Sequence, residues 1–485
     1  MRSIWLASAL LLGAHVGAAQ QSTSAESRTP ESRQLTAQPS APAVRIDYIE
    51  DSLPNGLRVL YHVDHSTPVA AVDIWYNVGS KHEVTGRTGF AHLFEHMMFK
   101  GSRNVADGQH FSLLEAAGGR AGPDINGTTW TDRTNYFEQV PSNQLELALW
   151  VEADRMGTLL ETVDQKKLDN QRDVVKNERR QSVDNQPYGT WFENMFAAAF
   201  PPAHPYHHPV IGSMADLSAA TLDDVKQFFR TYYTPNNAVL VVAGDFDVDN
   251  ARQLVRKHFA AIPRGPAVPP LPNMALPPLL GSGQRRVVPD SNAPAPAVYV
   301  AFRAPSARDS NWAAVPLLTS ALANGKAGRM YNTLVRDRQL ATNVFGFNLG
   351  LVDGADVMVF AAIGRPGVDP SALERTLLAV IDSARAGVSQ VELDRARAGA
   401  RFRFVDGLQR TGGFDGRADL LAQGATLFHD PNRVNTVLPH FDAVTVAQIG
   451  ALAADRLVPN NRVTLVYVPA KDAGKTGGQP TGVVP

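Results

Sequence analysis

Apolar and polar positions change their period several times along the chain. "NGLRVLYHVD" and "TPVAAVDIWYNVG" alternate, or run apolar for a few residues, between Gly, Asn and Pro boundaries. That pattern predicts consecutive β-strands. From Gly89 to Met98 the spacing turns helical. Two more helices are predicted: an amphipathic one in "QLELALWVEADRMGTLL" (144–160) and a more charged one in "DQKKLDNQRDVVKNERRQSVDN" (164–185).

The pattern then repeats. "TLDDVKQFFRTYYTPNNAVLVVAGDFD" begins at Thr221 and "TVAQIGALAADRLVPNNRVTLVYVPAK" at Thr445, an ungapped offset of 445 − 221 = 224. Each reads as an amphipathic helix, then Pro-Asn-Asn, then a Val-rich strand. Pro235 and Pro459 stand where a helix must already have ended. The strand starts "TPVAAVDIWYNVGS" and "APAVYVAFRAPS" also correspond. The fold class expected is therefore α+β, with two homologous domains at 45–262 and 285–470. Each should be a mostly antiparallel sheet with helices packed on it. The Pro- and Gly-rich stretch 263–284 is expected to be a linker.

Composition adds the flanks. Arg2, the apolar run Ile4–Leu12 and the small residues 16–19 predict a signal peptide over 1–19, hence an exported protein, periplasmic or secreted. Residues 20–44 are rich in Ser, Gln, Thr, Pro and Ala and predict a disordered lead-in; 471–485 predict a flexible tail. No stretch has the roughly 20 apolar residues of a transmembrane helix. The chain of 485 residues has no cysteine, which excludes disulfides and a Cys nucleophile. Its formal net charge of -1 gives no reason to expect nucleic acid as a partner.

The chemistry gathers in "GFAHLFEHMMFKGS" (89–102). On a helix His92 and His96, four apart, present two imidazoles to one point, and Glu95 lies close to the same spot. Two neutral imidazoles and a carboxylate suit Zn²⁺, which in catalytic sites keeps three protein ligands and one open position. This is the inverted form of the H-E-x-x-H helix. A helix so apolar should be buried, where an uncompensated Glu-His cluster is costly. A third ligand is needed, and Glu178 in "QRDVVKNERRQ" is the best candidate, 178 − 96 = 82 positions on. By its neighbours Arg179 and Arg180 alone, Glu178 reads first as a surface carboxylate. "HPYHHP" (204–209) is flanked by prolines and reads as a loop rather than a second metal helix.

These stretches, together with "AGPDINGTTWTDRTNYFEQVP", "HPYHHPVIGS" and "YTPNNAVLVVAGDFD", resemble the pitrilysin/insulinase family of zinc metallopeptidases. The length is similar to that of the short, processing-peptidase-like branch. The resemblance implies that His92, His96 and Glu178 bind Zn²⁺ and that Glu95 is the catalytic base. It implies that Asn126 helps hold the substrate backbone, and that peptides bind in extended form inside a closed chamber. Two departures stand out. Gln171 occupies the second-shell position where many members have Glu, which lowers the charge beside the metal. An Arg-Tyr pair that clamps substrate is replaced by Val335 and Thr342, with Arg336 one place off. The expected protein is a zinc endopeptidase whose clamp comes from a homologous subunit in a heterodimer, with a homodimer as the alternative. The competing expectation is a non-catalytic scaffold or peptide-binding subunit.

Overall fold

The computed structural model describes residues 44–470. The signal segment 1–19, nearly all of the lead-in 20–44 and the tail 471–485 lie outside the described residues. Alternating and Val-rich stretches form strands, and the 3.6-period stretches form helices. The first half builds β1 (Ile49–Ser52), β2 (Arg58–Val63), β3 (Val69–Tyr76), α1 (Phe90–Met97), α2 (Gln109–Ala116), β4 (Ile125–Thr129) and β5 (Thr134–Pro141). It continues through α3 (Leu145–Thr158), α4 (Gln165–Arg179), α5 (Trp191–Ala199), α6 (Met214–Ala219), α7 (Leu222–Tyr232), β6 (Ala238–Gly244) and α8 (Val248–Phe259). The second half adds β7 (Gln284–Asp290), β8 (Ala297–Ala304), α9 (Ala314–Ala323), β9 (Ala341–Asn348), β10 (Asp356–Gly364) and α10 (Pro370–Asp382). It ends with α11 (Gln390–Leu408), α12 (Arg417–Leu427), α13 (Arg433–Ala443), α14 (Val446–Arg456) and β11 (Arg462–Pro469).

The strands form two sheets, ordered β1-β2-β6-β3-β5-β4 and β7-β11-β8-β10-β9. Without β1 the orders are the same, β2 matching β7, β6 matching β11 and β4 matching β9. In each sheet only one pair is parallel, β2 with β6 and β7 with β11. The fold is thus α+β, with two similar mostly antiparallel sheets. The repeat reaches the helix ends: Thr221 and Thr445 are both N-caps of capping boxes, one before α7 and one before α14.

One face of each sheet carries helices of its own half. Phe94, Leu149, Phe229 and Val255 pack on Val72, Ile74 and Leu240 in the first; Leu318, Leu377 and Ile449 pack on Val298 and Phe360 in the second. The opposite faces are covered by exchange. Leu421, Ala422 and Ala425 of α12 lie against Leu60, Trp75 and Val241 of the first sheet. Met195 and Phe196 of α5 lie against Tyr299, Val359 and Leu465 of the second, and Trp191 stacks on Tyr299 with ring centroids 5.1 Å apart. A buried polar latch also joins the halves. Lys81 Nζ lies 2.9 Å from both Asp132 Oδ1 and Asp353 Oδ2, and the Tyr206 hydroxyl donates to Asp132. Among the described residues no single helix is long and apolar enough to cross a membrane.

Candidate metal centre

Helix α1 starts at Gly89, whose φ of 86° lies in the left-handed region. A Cβ there would come within 2.9 Å of the Gly212 Cα and the Ile211 carbonyl, so the position needs glycine twice over. The helix's first N–H groups are held by a residue that motif reading overlooked. Glu83 accepts from Gly89 N (2.8 Å) and Ala91 N (2.7 Å). That carboxylate is buried at the positive end of the helix. Burial pushes its pKa up to about 8 against those N–H groups. The apolar side of α1 is anchored on α7, where Phe94 meets the ring of Tyr233 at 4.4 Å and that of Phe229 at 5.4 Å. Anchoring one face fixes which way the other face points.

Helix α4 starts at Asp164, whose side chain accepts from Lys167 N. Leu168, Gln171 and Val175 are its buried positions, and Glu178 continues the same stripe one turn on. The stripe packs on α1 and brings Glu178 to the two histidines. His92 Nε2 and His96 Nε2 are 3.3 Å apart. Glu178 Oε2 lies 3.3 Å from His96 Nε2 and 3.8 Å from His92 Nε2. Arg180 and Arg179 do not draw the carboxylate to the surface. Arg179 turns away to Glu193 and the Gly212 carbonyl, so it is not part of a solvated face.

Electrostatics suit a cation. Burial lowers the His92 pKa to about 4, so this ring is neutral and able to ligate. Burial also opposes charge on His96, but contact with Glu178 and the charge of Glu95 outweigh it and raise its pKa. For Glu178, burial works against ionisation, yet His96 and His92 pull its pKa down. His92 Nδ1 and Glu178 Oε2 are buried without a well-formed hydrogen bond. Two imidazoles and an acceptor-only carboxylate aimed at one another, with an orphaned oxygen, are the donor set a zinc ion would satisfy. Glu95 is 3 % exposed, and burial raises its pKa to about 7; Thr129 Oγ1 donates to its Oε2 at 3.2 Å. Gln171 is buried and hydrogen-bonds His96, so it touches a candidate ligand as a neutral group.

Other candidate residues lie differently. Asn126 sits on β4, the strand at the free edge of the first sheet, but its amide bonds the Gly122 carbonyl and Gly127 N locally. Arg336 is exposed and paired with Asp337, and Thr342 Oγ1 bonds the Ile363 carbonyl. The loop histidines have separate partners: His204 the Met274 carbonyl, His207 the Phe200 carbonyl, and His208 Glu83 at 3.5 Å. A second group of possible ligands, His110, Glu138 and Glu152, is fully buried in the first core. Arg155 already bridges both of its carboxylates, so it reads as an internal ion-pair network.

Comparison with known proteins identifies the family. Residues 58–211 match the Insulinase (Peptidase family M16) family and residues 219–400 match the Peptidase M16 inactive domain. Over 376 residues the chain is 31% identical to the zinc protease PqqE of Helicobacter pylori, covering 77% of this chain and 83% of that protein. The chain belongs to the M16 peptidase family. Within it, an uncharacterized zinc protease of Mycobacterium leprae is 29% identical, over 83% of this chain and 87% of that one. The crystal structure of a protease from Helicobacter pylori superposes with a TM-score of 0.80 at 28% identity, covering 87% of this chain and 100% of the other. The first half of the periplasmic protease PqqL of Escherichia coli shares the fold, with a TM-score of 0.68 at 18% identity over 90% of this chain and 95% of that one.

Proposed function

We propose that this M16 chain is a zinc-dependent endopeptidase. The observation that carries the reading is the meeting of His92, His96 and Glu178 from two helices, with Glu95 beside them. The same arrangement supports His92, His96 and Glu178 as the residues that hold the ion. Zinc, when bound, supplies a Lewis acid that acidifies a water molecule and polarises a carbonyl. With the ion bound, Glu95 would take a proton at its carboxylate and return it to the leaving amine. Thr129 holds the Glu95 side chain in place, and Gln171 orients His96. β4 is the edge strand beside α1; Ile125 already bonds Arg120 and Gly122, and Gly127 N bonds the Asn126 side chain, so an extended peptide would add along the part of this edge after Gly127.

The reading includes a partner. Val335 and Thr342 offer no clamp for substrate, which favours assembly with a homologous subunit that brings one and closes a chamber. An exported, periplasmic or secreted location follows from the pattern of residues 1–19. A scaffold role is the second reading, favoured by the same missing clamp. Glu95→Gln separates the two. On the peptidase reading the variant keeps zinc and its fold, and hydrolysis of unfolded peptides falls by about 10²–10⁴. Parent protein that binds no zinc and cleaves nothing, alone or with a homologous chain, supports the scaffold.

A further inference from the structure

The repeat leaves a hole in the second half. In the first half, the connection 98–108 folds over one side of α3. Ser102 Oγ and Asn104 Nδ2 donate to Asp154, Arg103 N donates to Thr158, and Val105 is buried beneath. The matching connection, 324–330, is shorter, and the matching side of α10 is uncovered. What remains is a recess of about 930 Å³ between α10 and the helical turn Tyr331–Asp337, floored by Leu340 and Val380.

Its walls carry Arg329, Arg338 and Arg375, and no acidic residue lines it. Arg329 is held by Glu392 outside the recess, which fixes its position and neutralises it. Among the described residues, Arg375 has one acidic partner, Asp369 at 3.8 Å. Arg338 is exposed and has no acidic partner among the described residues. Two under-compensated arginines thus line the same recess as the apolar Leu340 and Val380, with Asn332, Thr333, Thr376 and Ser383 between them. In a chain whose formal net charge is -1, this is a local concentration of positive charge in a concave place. A guanidinium binds a carboxylate through two parallel hydrogen bonds, and the floor suits an apolar side chain beside that carboxylate.

We propose that this recess binds the free C-terminal carboxylate of a peptide ending in an apolar residue. The identity of the ligand rests on the peptidase reading; the anion-binding chemistry does not. The test uses full-length Glu95→Gln protein, so that nothing is hydrolysed, and titrates N-acetyl-leucine, N-acetyl-leucinamide and inorganic phosphate by calorimetry. N-acetyl-leucine should bind more tightly than either of the others. Its Kd should rise about tenfold in an Arg338→Ala/Arg375→Ala double variant, the loss expected for two exposed charge-assisted contacts. Arg338→Lys, which keeps the charge and loses the fork, should fall between. Both side chains are exposed, so an unchanged melting curve certifies the fold. An unaltered Kd in the double variant overturns the site, and phosphate or the amide binding as tightly overturns the ligand. Hydrolysis by the parent is measured separately, so failure here leaves the peptidase reading standing, and failure of hydrolysis leaves this binding result readable.

Discussion

Replacing Lys81 with Met removes the one ammonium group in the latch between the halves. Lys81 is 3 % exposed, and its partners Asp132 and Asp353 are 2% and 19% exposed as side chains. Breaking a buried pair by deleting one member costs about 3–5 kcal/mol, because the other charge stays buried. Here two carboxylates are left, but neither is bare. Asp132 keeps the Tyr206 hydroxyl at 2.5 Å and Val352 N at 3.2 Å, and Asp353 keeps Arg308 at 2.9 Å. Those contacts place the expected loss near the lower end, about 3 kcal/mol, or roughly 100-fold in the folded-to-unfolded ratio. Pulse proteolysis across a urea series reads that loss. Adding Asp132→Asn removes one stranded charge while leaving an oxygen for Tyr206, so the double variant should regain about 1 kcal/mol or more. If Lys81→Met stays within 1 kcal/mol of the parent, or if Asp132→Asn restores nothing, the latch does not hold the halves as described.

Three further outcomes are expected. Glu83→Ala leaves two N–H groups of α1 without their acceptor, for a loss of about 2 kcal/mol and weaker zinc binding; unchanged zinc affinity would show that this cap does not set the helix position. Gln171→Glu puts a charge beside His96 and should tighten zinc by about tenfold in a chelator competition assay, whereas equal or weaker binding contradicts the orienting role given to Gln171. Asp73 and Asp419 face each other across the α12 contact, near Arg133 and Asn135. Burial raises both pKa values, Asp419 to about 6, and the charge of Asp419 raises Asp73 further. A carboxylate whose pKa is higher folded than unfolded gives stability that is complete below about pH 4 and is lost as pH climbs through the folded value. Stability should therefore fall from pH 5 to pH 8, and Asp73→Asn should make that fall smaller; an identical pH profile in the variant refutes the pairing.

Much of the fold was legible because burial leaves a periodic trace. The segment 144–160 contains α3, and the 224-residue repeat shows in sheets of the same strand order. His92 and His96 could be paired from spacing alone, since a helix turn fixes their relation. Glu178 could not be decided that way. Its helix mixes charges freely, and only the packed stripe of Leu168, Gln171 and Val175 turns it to α1 rather than to water. The helix exchange was also hidden, because the apolar faces of α5 and α12 read alike whichever sheet they cover. Glu83, Lys81 and the Arg155 network were invisible for a related reason. A buried charge is recognisable only from its partner, and Lys81 finds Asp353 272 residues away. The recess by α10 depends on a shortened connection, which leaves no composition signal.

The most direct measurement is a zinc titration of metal-free protein, with stoichiometry and Kd read together for the parent and for His92→Ala, His96→Ala, Glu178→Ala and Glu95→Gln. One ion per chain should bind the parent and Glu95→Gln with similar affinity, while each of the other three loses at least tenfold. A parent that takes up no stoichiometric zinc, or a Glu178→Ala variant that holds zinc as tightly as the parent, would contradict the convergence of α1 and α4 on a single ion.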